Sequence, residues 1–130
     1  MKSPTSSLIH FPEHRPRRMR RDDWSRRLMQ ENNISANDLI YPVFLLEGKG
    51  KSEAVASMPG VNRVSLDLLF NVAQECVDLG IPVLALFPVI DPALKTPDGK
   101  EAYNPNGLVP NAVRELKKRF PNLGIMTDVA

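Results

Sequence analysis

Three continuous apolar runs at a constant spacing constrain the fold more than any other feature of the sequence. The runs cover Ile40–Leu46, residues 81–90 and residues 124–130. Val43, Ala85 and Thr127 occupy comparable points in them and are 42 residues apart each time. Apolar runs that do not alternate with polar residues are typical of strands buried on both faces of a parallel sheet.

Two amphipathic helix patterns separate these runs. The first begins after Ser65, an N-cap residue type, and stops at Gly80; the second has Pro110 in its first turn and stops at Pro121. Apolar residues recur at i, i+3, i+4, i+7 and i+11 in both helices, as one stripe of a 3.6-residue period. They are Leu66, Leu69, Phe70, Ala73 and Val77, then Val109, Ala112, Val113, Leu116 and Phe120.

The resulting order of arm, β, α, β, α, β predicts right-handed βαβ units and a parallel α/β sheet. Eight units of this length need roughly 335 residues, which is the size of a (β/α)8 TIM barrel. Residues 39–130 are therefore expected to form the first three βα units of a truncated barrel. Because the last apolar run continues to Ala130, we expect the chain to be a fragment.

Pro42 conflicts with the first predicted strand. Proline has no N–H to donate to a sheet ladder, so it is found at strand starts, on edges or at bulges. This leaves two alternatives: the strand begins after Pro42, or a bulge lies there.

Residues 1–38 differ in composition from the rest and predict an extended N-terminal arm with a short helix. Residues 1–36 carry eight Lys/Arg against four acids, whereas the whole chain has a net charge of +2. Asp22 or Asp23 would cap a helix that runs through Trp24 to about Asn32. Ser35, with Asp38 three residues later, predicts a small capping turn.

The composition excludes several protein classes. The chain has 130 residues, 42% of them apolar, and one cysteine, Cys76, so no disulfide framework or structural zinc site of cysteines is expected. No apolar run is long enough for a transmembrane helix, and no secretory signal is visible. Glu13, Asp22 and Asp23 argue against an acid-poor transit peptide. We therefore expect a cytoplasmic protein without membrane partners.

Five ordered strings carry a resemblance to a known family. They are "DLIYPVFLLEG" (38–48), "SMPGVNRVSLD" (57–67), "LGIPVLALFPVI" (79–90), "EAYNPNGLV" (101–109) and "RFPNLGIMTDVA" (119–130). In order and spacing they resemble the first half of the porphobilinogen synthases (5-aminolevulinate dehydratases), and "RPRRMRRDDWSRRL" before them resembles that family's N-terminal arm. The resemblance runs from about Arg15 to Ala130.

The resemblance implies a lyase that condenses two molecules of 5-aminolevulinate to porphobilinogen with loss of two waters, in tetrapyrrole and haem biosynthesis. It implies two lysines that form Schiff bases with the substrates and no organic cofactor. A lysine must be neutral to attack a ketone, so desolvation and a neighbouring cation must lower its pKa. The family's two lysines lie on later strands, beyond Ala130. The 130-residue chain alone is thus expected to be inactive, and six of its seven lysines are expected to be solvated: Lys49, Lys51, Lys95, Lys100, Lys117 and Lys118.

Asp128 is the residue of this chain that we expect in the active site. It lies near the end of the third predicted strand, where the active sites of barrels assemble. The resemblance places it in the active-site pocket, where it would order a lysine ammonium or a water and help proton transfer. From the residues alone, a carboxylate held by backbone or Ser/Thr hydrogen bonds is the favoured alternative. Within this chain we expect no metal ligand.

The residue at position 130, an alanine, bears on which metal ion the protein uses. The resemblance aligns it with the first cysteine of a three-cysteine cluster in the zinc-dependent members. With alanine there, the resemblance implies the aspartate-rich loop of members that do not need catalytic zinc, and such oxygen ligands suit Mg²⁺.

Other candidates have plainer interpretations. We favour core packing over substrate shaping for Phe87–Pro88, turn chemistry over a lid for residues 103–105, and packing over nucleophilicity for Cys76. Pro12 separates His10 from His14, so these two are expected to be solvated residues of the arm rather than ligands.

The arginine cluster of residues 15–21 allows two interpretations. Clustered arginines bind nucleic-acid phosphates, but aromatic residues for base stacking are sparse in the arm. The resemblance implies a homo-octamer in which the arm embraces a neighbouring barrel, and we favour that role, with no nucleic-acid partner. Two rival functions stay open: another Schiff-base barrel enzyme such as an aldolase, and a nucleic-acid-binding module led by the arm.

Overall fold

The computed structural model describes residues 12, 15 and 17–128. By contacts between backbones the chain divides into two compact units, Met1–Asn33 and Ile34–Ala130. The second unit holds the sheet and the two long helices.

The second unit is built on a five-stranded mixed sheet. Its strands are β1 (Ile40–Leu46), β2 (Ser52–Ala54), β3 (Asn62–Ser65), β4 (Val83–Pro88) and β5 (Gly124–Thr127), in the spatial order β2-β3-β1-β4-β5. All neighbours are parallel except β2, which runs antiparallel to β3. The three predicted strands are confirmed as parallel neighbours, although β4 and β5 are shorter than the apolar runs that predicted them.

The strands β2 and β3 were not predicted. They form a short hairpin between β1 and the first long helix, and β3 adds to β1 at the pair Leu45↔Val64. The three residues of β2 are exposed, and Val64 is the residue of β3 that packs against the hydrophobic core. Strands this short carry too few apolar residues to produce a pattern, so the sequence gives no signal for them.

Pro42 lies inside β1 without a bulge, so both predicted alternatives are wrong. The register from Ile40↔Val83 to Leu45↔Pro88 is continuous through Pro42↔Ala85. The Leu45 carbonyl accepts from Val89 N–H on the β4 side, and the backbone groups of successive residues point to opposite sides of a strand. Pro42 thus points to the β3 side, where pairing begins only at Phe44. No ladder donor is lost there.

The two long helices have the predicted positions. The helix α3 (Leu66–Asp78) begins after Ser65, and α4 (Leu108–Arg119) carries Pro110 in its first turn. Gly80, at φ +73°, ends α3 in a Schellman motif: its own N–H donates to the carbonyl of Val77, and Ile81 N–H donates to that of Cys76.

The core lies between one face of the sheet and these helices. Its buried members come from β1, β4, α3, α4 and the residue just before β5: Val43, Leu45, Leu69, Ala73, Cys76, Leu84, Leu86, Ala112, Leu116 and Leu123. Arg119 also lies over the ring of Phe70 at 3.8 Å from its centroid, so a cation–π contact joins α4 to α3.

The opposite face of the sheet is only partly covered, so the expectation of strands buried on both faces is wrong for the described residues. Residues of this face alternate with the core residues along each strand. The side chain of Phe87 is 38% exposed and that of Met126 50%, whereas Leu84 and Leu86 on the helix side are fully buried. Phe44 and Phe87 meet on this open face, with ring centroids 6.0 Å apart.

Ser65 connects the loop after β1 to the start of α3. Although it holds the N-cap position, its hydroxyl does not cap the helix. The hydroxyl instead donates to Asp67 Oδ1 at 2.6 Å and accepts from Lys51 N–H at 3.0 Å. Asp67 also accepts from Gly50 N–H at 2.9 Å. The hydrogen bond from Ser65 holds the pKa of Asp67 below its ordinary value, helped by Gly50 N–H and the charge of Lys49 and opposed by partial burial.

Three 3-10 turns complete this unit, at Ala36–Asp38, Pro92–Leu94 and Lys100–Tyr103. The first confirms the predicted capping turn, because Ser35 N–H donates to Asp38 Oδ2 at 2.8 Å. This backbone hydrogen bond, with a second one from the Ser35 hydroxyl, lowers the pKa of Asp38.

The first unit contains two short helices, α1 (Arg18–Arg21) and α2 (Asp23–Leu28). Residues 18–21 are therefore helical rather than extended, and α2 ends before the predicted Asn32. Asp22 holds the N-cap position of α2 but makes no side-chain capping bond. Ion pairs of Asp23 with Arg27 at 3.0 Å and Arg26 at 3.6 Å run along α2.

Replacement of Leu116 by alanine is expected to destabilise the fold by about 2–5 kcal/mol, because the side chain is fully buried and its removal leaves a cavity. Leu79→Ala is the matched control, since Leu79 is 61% exposed. Urea denaturation followed by circular dichroism measures both. Equal losses for the two variants would contradict the assignment of the core.

Asp67→Asn is expected to reduce the loss of stability in acid. A lowered pKa in the folded state means that ionised Asp67 stabilises the fold above its unfolded pKa, near 4, and that this contribution disappears as the pH falls through the lower folded value. The urea midpoint of the wild type should therefore fall more between pH 6 and about pH 3 than that of the variant. Asp98→Asn, in an exposed turn, is the control and should keep the wild-type profile.

Candidate active site

Asp128 comes directly after β5, at the carboxyl end of the parallel strands. By alternation along the strand it shares the open face of the sheet with Met126, whereas Ile125 packs against the helix-side core. The sequence leaves open a carboxylate that is held by backbone or Ser/Thr hydrogen bonds. Asp128 is instead exposed and forms no hydrogen bond or ion pair with the other described residues. Its carboxylate is thus available to a ligand or to further protein.

A cavity of about 290 Å³ lies beside Asp128. Phe87 and Pro88 form one wall, at the end of β4, and residues of the following segment form the other: Ile90, Leu94, Lys95, Thr96, Gly99, Glu101 and Ala102. The expectation that Phe87 belongs to the core is wrong, because its ring is 38% exposed and borders this cavity. Phe87 lies in β4 and Asp128 directly follows the adjacent parallel strand β5, and the carboxyl ends of such strands are where barrel enzymes place their active sites.

The segment between β4 and α4 is held in place by short-range hydrogen bonds. Asp91 Oδ1 accepts from Ala93 N–H at 2.9 Å and starts the turn at Pro92–Leu94. Thr96 accepts from Lys100 N–H through its hydroxyl at 3.1 Å. These bonds bring Lys95, Thr96 and Glu101 to the wall of the cavity. The sequence analysis does not predict that these three residues border a site. The string "EAYNPNGLV", which begins at Glu101, is the one feature that draws attention to this part of the chain.

Residues 103–105 serve as a turn, as predicted. Tyr103 is 68% exposed, and Asn104 orders the chain up to the start of α4. Its side-chain oxygen accepts from Asn106 N–H and its carbonyl from Gly107 N–H, both at 3.0 Å. Asn104 Nδ2 donates to Glu101 Oε2 at 3.0 Å, so the half-buried carboxylate of Glu101 is fixed to the turn that precedes α4.

The six lysines among the described residues behave as predicted. The side chains of Lys49, Lys51, Lys95, Lys100, Lys117 and Lys118 all lie at exposed positions. Lys95 alone among them borders the cavity beside Asp128.

Cys76 is buried in α3, as predicted for a packing residue. Burial raises the pKa of its thiol, with a smaller contribution from the charge of Glu75. Such a thiol is a poor nucleophile near neutral pH.

The remaining metal and histidine candidates lie outside the described residues: Ala130, His10 and His14. Within residues 12, 15 and 17–128, no three His, Cys, Asp or Glu side chains cluster closely enough to hold a metal ion. The same part of the chain contains no helix long and apolar enough to cross a membrane.

Comparison with known proteins identifies relatives of one kind. The chain is 50% identical over 116 residues to the delta-aminolevulinic acid dehydratase of Bradyrhizobium diazoefficiens, covering 89% of the chain and 33% of that protein. It is 42% identical over 118 residues to the enzyme of the same name from Synechocystis, covering 91% of the chain and 36% of the relative. The chain is 44% identical over 129 residues to a delta-aminolevulinic acid dehydratase of Glycine max that is named as chloroplastic. The match covers 97% of the chain and 31% of the relative. The chain thus spans about a third of the length of these relatives.

A solved structure agrees with the sequences. The crystal structure of delta-aminolevulinic acid dehydratase (porphobilinogen synthase) from Toxoplasma gondii, in complex with the reaction product porphobilinogen, matches with a TM-score of 0.79 and 40% identity. The match covers 90% of this chain and 33% of that one. The family model for delta-aminolevulinic acid dehydratase matches residues 13–130. The chain therefore belongs to the delta-aminolevulinic acid dehydratase family.

Proposed function

We propose that the protein to which this chain belongs is a porphobilinogen synthase, a lyase that condenses two molecules of 5-aminolevulinate to porphobilinogen with loss of two waters. The observation that carries the proposal is the Asp128 cavity, which lies at the carboxyl ends of parallel strands in a chain that matches the family from residue 13 to 130. The product bound to the Toxoplasma gondii relative supports a small-molecule substrate.

The finer architecture is part of the same proposal. The strands β1, β4 and β5 are consecutive parallel neighbours, and α3 and α4 cover one face of them. We infer that these are the first strands of a (β/α)8 barrel and that the open face with Phe44, Phe87 and Met126 is its interior. Further barrel strands would cover the apolar surface that this face exposes.

Asp128 is proposed to act on protons beside the Schiff-base lysines, which the family carries beyond residue 130. Its exposed carboxylate, free of partners among the described residues, suits a group that orders a lysine ammonium or a water. The lysines themselves would perform the covalent chemistry. The aldolase alternative, which also uses Schiff-base lysines, is not favoured, because the relatives found are dehydratases.

Magnesium is proposed as the metal to which the longer protein responds. By the family resemblance, alanine at position 130 stands where the zinc-type members have a cysteine, and Mg²⁺ prefers oxygen ligands to thiolates. The described residues do not supply a ligand set of their own, so no step of the reaction is assigned to the ion.

The N-terminal arm is proposed to contact another subunit, in a homo-octamer. Trp24 and Leu28 are 62% and 72% exposed, next to several exposed arginines. Aromatic residues and arginines together are enriched at protein interfaces. A nucleic-acid partner is not favoured, since Trp24 is the single aromatic residue among the described residues before residue 34 and cannot stack successive bases alone. A cytoplasmic location stays a prediction, because several relatives are named as chloroplastic.

Asp128→Asn is expected to lower kcat/KM for 5-aminolevulinate by about 100-fold or more, the usual contribution of a general acid or base. The measurement is porphobilinogen formation by the full-length product of the reading frame that carries this chain. Asp98→Asn, on the exposed turn before Lys100, is the control and should retain wild-type activity.

The same assay tests the function itself. The wild-type full-length protein should form porphobilinogen, and the 130-residue chain alone should not. Absence of product with the full-length protein would refute the proposed function, and an active 130-residue chain would refute the assignment of the lysines to later strands.

Removal of divalent metal is expected to lower the activity of the full-length protein, and Mg²⁺ to restore it. The reason is that hard oxygen ligands hold Mg²⁺, whereas thiolates would favour zinc. Porphobilinogen formation after treatment with EDTA and dialysis, then with added Mg²⁺ or Zn²⁺ separately, measures the preference. Recovery with Zn²⁺ alone would contradict the proposal.

A further inference from the structure

Glu101 lies at the boundary between two cavities beside Asp128. The larger one, of about 290 Å³, extends toward Leu94 and Lys95, and a smaller one, of about 130 Å³, extends toward the first turn of α4. Both are bordered by the same five residues: Pro88, Ile90, Glu101, Ala102 and Asp128. Glu101 and Ala102 thus form the partition between the two spaces, opposite the ends of β4 and β5.

One hydrogen bond fixes this partition. Glu101 Oε2 accepts from Asn104 Nδ2 at 3.0 Å. The Asn104 amide is itself oriented, because its oxygen accepts from Asn106 N–H at 3.0 Å. On the outer side, Arg114 Nη2 of α4 donates to the Pro105 carbonyl at 2.9 Å. The position of the Glu101 carboxylate therefore depends on a turn that is anchored to α4.

Gly107 makes this arrangement possible by having no side chain. A Cβ at this position would lie 2.6 Å from Glu101 Oε1 and 3.2 Å from the Asn104 carbonyl oxygen. Its φ of −66° is open to every residue type, so the backbone does not require glycine there. The missing Cβ leaves room for the Glu101 carboxylate beside the N-terminus of α4, and a Cβ there would displace the end of the Glu101 side chain.

We propose that Glu101 is a positioning residue of the Asp128 site: its carboxylate, held by Asn104 and seated against Gly107, keeps the partition in place and so sets the space beside Asp128. Glu101 acts through the cavity wall rather than on the reacting atoms. The inference rests on the proposed synthase function. Without the carboxylate the two cavities merge, and water and substrate are less closely confined next to Asp128.

Three variants of the full-length protein test this role. Glu101→Ala removes the hydrogen bond and is expected to raise KM for 5-aminolevulinate about fivefold, the order expected for the loss of one net hydrogen bond, with kcat within about twofold. Glu101→Gln keeps the size and the oxygen acceptor for Asn104, and should restore KM to within about twofold of the wild type. Gly107→Ala should raise KM as Glu101→Ala does, because the added methyl group displaces the carboxylate. Glu53→Ala, an exposed glutamate of β2, is the matched control and should leave KM unchanged.

The double variant Glu101→Ala/Gly107→Ala adds a stricter criterion. If both single changes act through the same contact, its effect on KM should be close to that of either one, whereas independent effects would multiply. The proposal is overturned if Glu101→Ala has the KM of the wild type, if Glu101→Gln is as impaired as Glu101→Ala, or if the two single effects multiply. Should Glu101→Ala fail to fold, the KM values of Glu101→Gln and Gly107→Ala decide the question. A wild-type protein without synthase activity refutes the proposed function instead.

Discussion

Burial of one sheet face under two helices is the constraint on which the rest of the second unit depends. Leu45, Leu84 and Leu86 are fully buried on that face, and Leu69 and Leu116 meet them from α3 and α4. With about 25 cal/mol per Å² of apolar area removed from water, such a cluster is the main source of stability available to the unit. Because the side chains of a strand alternate, fixing this face also fixes the residues that the other face presents: Phe44, Phe87, Met126 and Asp128.

The main elements could be predicted from the sequence because their signals are periodic and long. The stripe from Leu66 to Val77 and the breaks at Gly80 and Pro121 define α3 and α4 with errors of a residue or two. The hairpin could not be predicted, since β2 is three exposed residues and its pairing with β3 is a tertiary contact. The position of Pro42 inside β1 also depends on tertiary structure. Pro42 has no N–H to donate, and no hydrogen bond is lost because the pairing of β1 with β3 begins only at Phe44.

The site was predictable only in part. Asp128 was identified by its place at a strand end together with the family resemblance, and its role stays a prediction. Glu101 lies in a stretch without periodicity, and its half-burial arises from the Asn104 turn and the close approach of Gly107. Phe87 was assigned to the core because a run of apolar residues does not reveal which of two sheet faces is covered.

The uneven coverage of the sheet has a consequence for synthesis on the ribosome. On one side, the sheet ends in β2, whose three exposed residues make a short edge that discourages further pairing. On the other, β5 is the outermost of the described strands, and the neighbouring face exposes Phe87 and Met126. In a longer protein, any strand that follows β5 is translated after it, at about 5–20 residues per second. For that interval the nascent chain presents a growing sheet edge beside an apolar surface, both of which are targets for chaperones and for aggregation.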